Sequence, residues 1–189
     1  MVVKNVKIYG FDDSVRASKY PMSVDTLSCT PEITTTVRSL AGSDIGSGHD
    51  QFLTGIIVQF DLTFSIKAWV EAERYHFLDF VSSQSTMHRV AKMDVEKQCN
   101  EYVSKNTIKE VKRLVATYNR APTPDNYLQL LYNVPVGFKL TARMTTNYRQ
   151  LKTIYHQRKN HRLPEWREFC EWIETLPMMS EVLKNDERK

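Results

Sequence analysis

Two nine-residue stretches of this 189-residue chain alternate strictly between apolar and polar positions. In the first, Val58, Phe60, Leu62, Phe64 and Ile66 fall on one side, and Gln59, Asp61, Thr63 and Ser65 on the other. In the second, Val136, Phe138, Leu140, Ala142 and Met144 oppose Gly137, Lys139, Thr141, Arg143 and Thr145. A period of two is that of a strand with one buried face. Each stretch runs straight into helical spacing. Trp69, Val70, Glu73, Phe77 and Phe80 come after the first, and Asn147, Leu151, Ile154 and Arg158 after the second. The pattern therefore predicts two strand-to-helix junctions, with Glu73 expected in an internal ion pair on the first helix.

The other signals are helical. Thr30-Pro31-Glu32 reads as a helix start, with threonine as cap and proline in the first turn. Thr107 and Glu110 form a capping box ahead of Ile108, Val111, Val115 and Tyr118. Pro122-Thr123-Pro124 breaks the chain before Tyr127, Leu128, Leu130 and Leu131, and Pro164 opens a final helix bearing Trp166, Phe169, Cys170 and Ile173 on one face. Gly42, Gly46 and Gly48 fall in a polar loop over residues 41–50. The expected fold is helix-rich α+β, with helices packed on a small mixed sheet in a single domain over residues 1–183. Residues 184–189, all charged or amide, are expected to be a disordered tail.

Composition narrows the class. No window approaches the ~18 consecutive apolar residues of a membrane helix. The first ten residues lack the apolar run of a secretory signal. Three widely spaced cysteines, Cys29, Cys99 and Cys170, fit a reducing compartment, so a cytoplasmic location is expected. Five histidines show no zinc-ligand spacing.

Charge adds a sharper feature. The formal net charge is +4, yet residues 139–167 hold eight Lys or Arg and a single acid, Glu165. That segment carries +7 against −3 for the other 160 residues. Tyr148, Tyr155 and Trp166 are interleaved with the bases, a mixture that suits phosphates and flat rings. Arg158 shares a stripe with Leu151 and Ile154, so its guanidinium is directed inward and must meet a carboxylate or a bound anion. Asn147 stands three turns earlier on that stripe, where a helix N-terminus favours anions.

The same residues carry a resemblance. The stretch from Thr63 to Ser82, closing at His88-Arg89 and preceded by Gly48-His49, resembles the central motif of the flavin-dependent thymidylate synthases. The stretch from Pro135 through Asn147-Tyr148-Arg149-Gln150-Leu151 to Arg158 and Trp166 is similar to that family's Asn-x-Arg-Ser-Leu helix and its later Gln-Trp. The resemblance covers residues 45–170. It implies binding of a pyrimidine nucleotide such as dUMP, FAD as cofactor, methylene transfer to the nucleotide, and a homotetramer. Arg158 would hold the pyrimidine and is the candidate catalytic residue. Arg89 and Ser82 would help bind the nucleotide, and His49, Asn147 and Arg149 would contact the flavin. The sequence also departs from the family. Phe77-Leu78-Asp79 stand in place of its Arg-His-Arg, Met87 replaces a substrate-site serine, and Leu131 replaces an arginine. A non-catalytic nucleotide-binding protein on the same scaffold is the alternative reading. A nucleic-acid interaction factor using the basic segment is a third.

Overall fold

The computed structural model describes residues 1–184, so most of the expected tail lies outside the described residues. Four strands form one sheet in the order β1-β2-β4-β3: β1 (Val2–Tyr9), β2 (Ile57–Ser65), β3 (Asp79–Ser83) and β4 (Lys139–Asn147). Every pairing is antiparallel, so the sheet is not mixed as expected. The helices are α1 (Phe11–Ala17), α2 (Thr35–Ala41), α3 (Ile66–Ala72), α4 (Thr86–Arg89), α5 (Val95–Gln98), α6 (Lys105–Arg120), α7 (Pro124–Tyr132), α8 (Tyr148–Arg158), α9 (Pro164–Glu174) and α10 (Met179–Val182).

Both expected junctions form, and each has its own cap. At the end of β2, the Ser65 hydroxyl accepts from the Ala68 amide at 3.3 Å and donates to Glu165 at 2.8 Å. At the end of β4, the Asn147 side-chain oxygen accepts from the Gln150 amide at 2.9 Å. Capping a first turn in this way satisfies a backbone donor that would otherwise lose its partner.

The alternation predicted in the sequence is borne out in the central strands. Val58, Phe60, Leu62 and Phe64 are fully buried on one face of β2, as are Ala142 and Met144 on β4. The opposite face is polar and partly exposed, with Asp61 facing Arg143 and Thr63 facing Thr141 across the strands. The buried face packs on α3, α8 and α9. Phe64 meets Trp69, Trp166 and Phe169 with ring centroids 5.0–5.8 Å apart. Fully burying one such side chain contributes about 1.5–3 kcal/mol, so this aromatic group anchors α3 and α9 to the sheet. A second apolar cluster gathers Val90, Val95, Cys99, Val111, Leu114, Leu130 and Phe138 beneath α6 and α7.

Several boundaries differ from the sequence expectation. The helix after β2 ends at Ala72 instead of continuing through Phe80. Residues 73–78 turn back, burying Tyr75 and Leu78, and Phe80 enters β3 opposite Met144. Phe80 still lies 4.9 Å from Trp69, so the contact implied by helical spacing is made from a strand. Glu73 is exposed at the helix end and forms no internal ion pair among the described residues. Helix α2 is capped by Thr34, not Thr30, and α6 by Ser104, not Thr107. In α6 the Ser104 hydroxyl accepts from the Thr107 amide at 3.1 Å. Strand β1, absent from the pattern, has a largely exposed face and an irregular register between Lys4 and Lys7. It leads into α1 through Gly10 at φ +68°, where an added Cβ would lie 2.6 Å from the Gly55 carbonyl oxygen. Only glycine meets both demands.

Candidate functional site

Arg158, at the C-terminal end of α8, is 8% exposed. Its Nε donates to the Tyr75 hydroxyl at 2.7 Å, and Nη1 lies 3.4 Å from a Glu71 carboxylate oxygen. The guanidinium is also held between two aromatic faces, 5.5 Å from the Tyr75 ring centroid and 5.0 Å from that of Trp166. Such stacking suits a planar, weakly hydrated cation. Of the two partners anticipated for an inward arginine, the carboxylate is present. A hydrogen bond from Lys67, helped by the charges of Arg74 and Arg158, holds Glu71 below the ordinary carboxylate range. Burial raises the Tyr75 phenol and the Arg158 hydrogen bond offsets part of that rise, leaving the phenol protonated at neutral pH.

One side of Arg158 opens onto a cleft of about 310 Å³ between the turn after α3 and the outward face of α8. Arg74, Tyr75, Phe77, Thr153, Gln157 and Arg158 are among its walls. Sequence reasoning found Arg158 here but missed Tyr75, Gln157 and Glu71. Lys67 and Glu71, four apart on α3, carried a signal for the acid that matters, whereas the spacing had favoured Glu73.

The first turns of α8 form a separate charged group. Asp50, fully buried, receives Arg149 Nε at 3.1 Å on one oxygen and Lys152 Nζ at 3.1 Å on the other. Lys152, 1% exposed, also donates to the Ala41 and Ser43 carbonyls. Arg149 donates further to Gln51 Oε1 at 2.8 Å. This network pins the polar loop against α8. His49, beside it, lines a larger, mostly apolar cavity of about 870 Å³ with Val37, Leu40, Phe52 and Cys29.

Ser82 and Arg89 lie elsewhere, exposed on β3 and α4, and neither lines the Arg158 cleft. Within one chain, the candidate residues therefore fall into three places: Arg158 at its cleft, the His49–Asn147–Arg149 group, and Ser82 with Arg89. The basic segment is not one continuous patch. Arg143, Arg149, Lys152 and Arg158 are paired with Asp61, Asp50 and Glu71, acids drawn from outside it.

A flavin dinucleotide requires donors for its pyrophosphate, and the two arginines of the family's Arg-His-Arg are not among the residues at hand. The Asn147 side-chain oxygen caps α8 and leaves its NH2 donors unused by the cap, and Arg149 turns Nε to Asp50 and Nη1 to Gln51. At the triplet that replaces Arg-His-Arg, Phe77 is exposed, Leu78 is buried, and Asp79 places an exposed carboxylate where a cation would be needed. Among the described residues, no group of His, Cys, Asp and Glu is arranged to hold a metal ion. No described helix is long and apolar enough to cross a membrane.

No protein-family model matches the chain, and no curated protein matches it by sequence. Solved structures do. The chain is similar to flavin-dependent thymidylate synthase ThyX from Helicobacter pylori complexed with FAD and dUMP, with 14% identity, a TM-score of 0.75, and coverage of 98% of this chain and 99% of that one. A second structure of Helicobacter pylori ThyX with FAD and dUMP gives a TM-score of 0.77 at 14% identity, covering both chains completely. The UMP/dUMP methylase PolB from Streptomyces cacaoi, bound with 5-Br dUMP, gives 0.66 at 16% identity, covering 97% of this chain and 94% of that one. The protein thus has the thymidylate synthase X fold from end to end, with a largely different sequence.

Proposed function

We propose that the protein is a diverged, thymidylate synthase-like nucleotide-binding protein that takes a pyrimidine nucleotide such as dUMP at the Arg158 cleft. The observation that carries this reading is Arg158 itself. It is the residue the family resemblance assigns to the pyrimidine, and it is held rigidly on a cleft wall in a fold shared end to end with dUMP-bound proteins. A guanidinium braced by Tyr75, Trp166 and Glu71 is pre-organised, so ordering it on binding costs little.

The proposed role is binding without flavin-dependent transfer, because Phe77-Leu78-Asp79 put no cation where the resemblance expects two and Arg149 is already paired with Asp50. Arg89 and Ser82 lie outside the cleft. If both serve the same nucleotide, a second copy of the chain must bring them, which supports a homo-oligomer. Three free cysteines support a cytoplasmic setting. A nucleic-acid role has less support, because four of the segment's bases are already neutralised within the chain.

Calorimetric titration with dUMP tests the reading. Wild type should bind, Arg158→Ala should lose binding, and Thr153→Trp, which fills the cleft without touching the buried pairs of Arg158, should lose it as well. Binding that survives in both variants would place the nucleotide elsewhere. Visible flavin absorbance after incubation with FAD and desalting would overturn the binding-only role and favour the flavoenzyme.

A further inference from the structure

The turn that joins α8 to α9 holds a histidine in one charge state. Leu163, at the start of α9, caps the helix without a side-chain hydrogen bond of its own. Its backbone amide instead donates to His161 Nδ1 at 3.2 Å. An amide can only donate, so Nδ1 carries no proton and the neutral ring is protonated on Nε2. The His161 amide closes the turn on the Arg158 carbonyl at 2.9 Å. Arg167 Nη1 braces it further, donating to the His161 and Arg162 carbonyls at 2.6 and 3.1 Å. An imidazolium has donors on both nitrogens and no acceptor, so protonation ends the Leu163 bond.

Charge acts in the same direction. The half-buried ring faces Arg158 on α8, Arg167 on α9, and Lys67 and Glu71 on α3. Burial, followed by the Arg158 charge, holds the His161 pKa below 6.5, and Glu71 opposes them. The Glu71 carboxylate already has Lys67 at 3.2 Å, Arg158 at 3.4 Å and Arg74 at 3.8 Å. One indole receives both groups: Trp166 meets the His161 ring at 6.4 Å and lies 5.0 Å from the Arg158 guanidinium. Trp166 stands in the first turn of α9, three residues after Leu163.

We propose that His161 is a proton-operated latch on the α8–α9 turn, seating Arg158 against Trp166 and Glu71 while neutral and unseating it when charged. Protonation removes the Leu163 bond and frees the start of α9, which carries Trp166. It also sets a fourth cation beside a carboxylate that already pairs with three. The device regulates the Arg158 cleft, so its effect on a nucleotide rests on the reading above. The latch itself operates in the ligand-free chain.

NMR of the ligand-free protein tests it from about pH 7.5 to about pH 5, where an imidazole titrates. The Leu163 amide and Arg158 Nε–H signals should both lose protection from solvent exchange at the titration midpoint of the His161 ring itself. In His161→Gln, whose side-chain oxygen accepts from Leu163 and takes no proton, both should stay protected throughout. Calorimetry with dUMP gives a second readout. The nucleotide phosphate titrates alike with both proteins, so the ratio of wild-type to His161→Gln affinity isolates the latch. One pH unit below the midpoint, that ratio should have fallen by about tenfold. Wild-type signals that pass through the His161 midpoint unchanged overturn the inference, whether or not the variant folds. An affinity ratio that stays constant with pH overturns it as well. Failure of dUMP to bind wild type at any pH overturns the nucleotide reading and leaves the latch to be decided by the NMR result.

Discussion

At the scale of single residues, Asp50 and Lys152 form an ion pair that is buried on both sides. Both are buried, and the ammonium has one carboxylate partner and two carbonyls. Removing one charge of a buried pair strands the other, at a cost of about 3–5 kcal/mol. Asp50→Asn should therefore lower stability by that order in urea unfolding. Lys152→Met in the Asp50→Asn background should recover part of the loss, because the stranded ammonium is gone.

The cysteines give a second residue-level prediction. Burial, together with the nearby Glu174 charge, pushes the Cys170 thiol up to about 12, and burial also raises Cys99. Thiolates are the reactive form, so at pH 8 Cys170 is ionised in only about one molecule in 10⁴. Native protein should then alkylate first at Cys29, which is half-buried, and at the other two only after denaturation. His156 supplies a pH signature. Burial, reinforced by Lys152 and Lys159, lowers its pKa below 6.5. The unfolded chain then binds a proton at His156 that the folded chain refuses. Its contribution is present above the unfolded value and is lost as pH falls through 6.5 toward the lower folded value. His156→Gln should flatten stability measured across that interval.

At the scale of elements, the two strand-to-helix junctions were legible because period two and period 3.6 each persist long enough to be distinguished. The missed β3 shows the opposite case. It has five residues, all exposed and with a register shift between Phe80 and Ser82, so neither period shows. Phe77 and Phe80 continue the helical spacing of Trp69 in the sequence, yet Phe77 is exposed and Phe80 reaches Trp69 only after the chain has turned back. At α6, Ser104 and Thr107 both satisfy the sequence rule for a cap, and only the backbone at residue 104 decides between them. Ser104→Ala should cost about 1 kcal/mol in chemical denaturation. Thr107→Ala, which leaves the Ser104 cap in place, should cost less.

At the scale of the whole molecule, the candidate residues lie in three places on one chain, and the reading that unites them requires more than one copy. Light scattering on the purified protein should report an oligomer, with a tetramer expected from the resemblance. A monomer that still binds dUMP would show that Arg89 and Ser82 are not needed. The same whole-molecule view shows where the local excess of positive charge is paired. The excess of +7 over residues 139–167 is drawn down by Asp50, Asp61 and Glu71, which lie far away in sequence and beside it in space.

The sequence by itself determined the central β2 and β4 strands, the helices that continue from them, the buried stripe on α8 and α9, and the inward direction of Arg158. All of these arise from local periodicity, which a chain carries wherever it folds. Tertiary structure alone decided that Arg158 meets Glu71 and Tyr75, that Asp50 draws Arg149 and Lys152 together, and that the Tyr75 hydroxyl reaches Gln157. Those outcomes depend on which distant residues arrive at hydrogen-bonding distance, and the spacing of residues along one chain does not encode that.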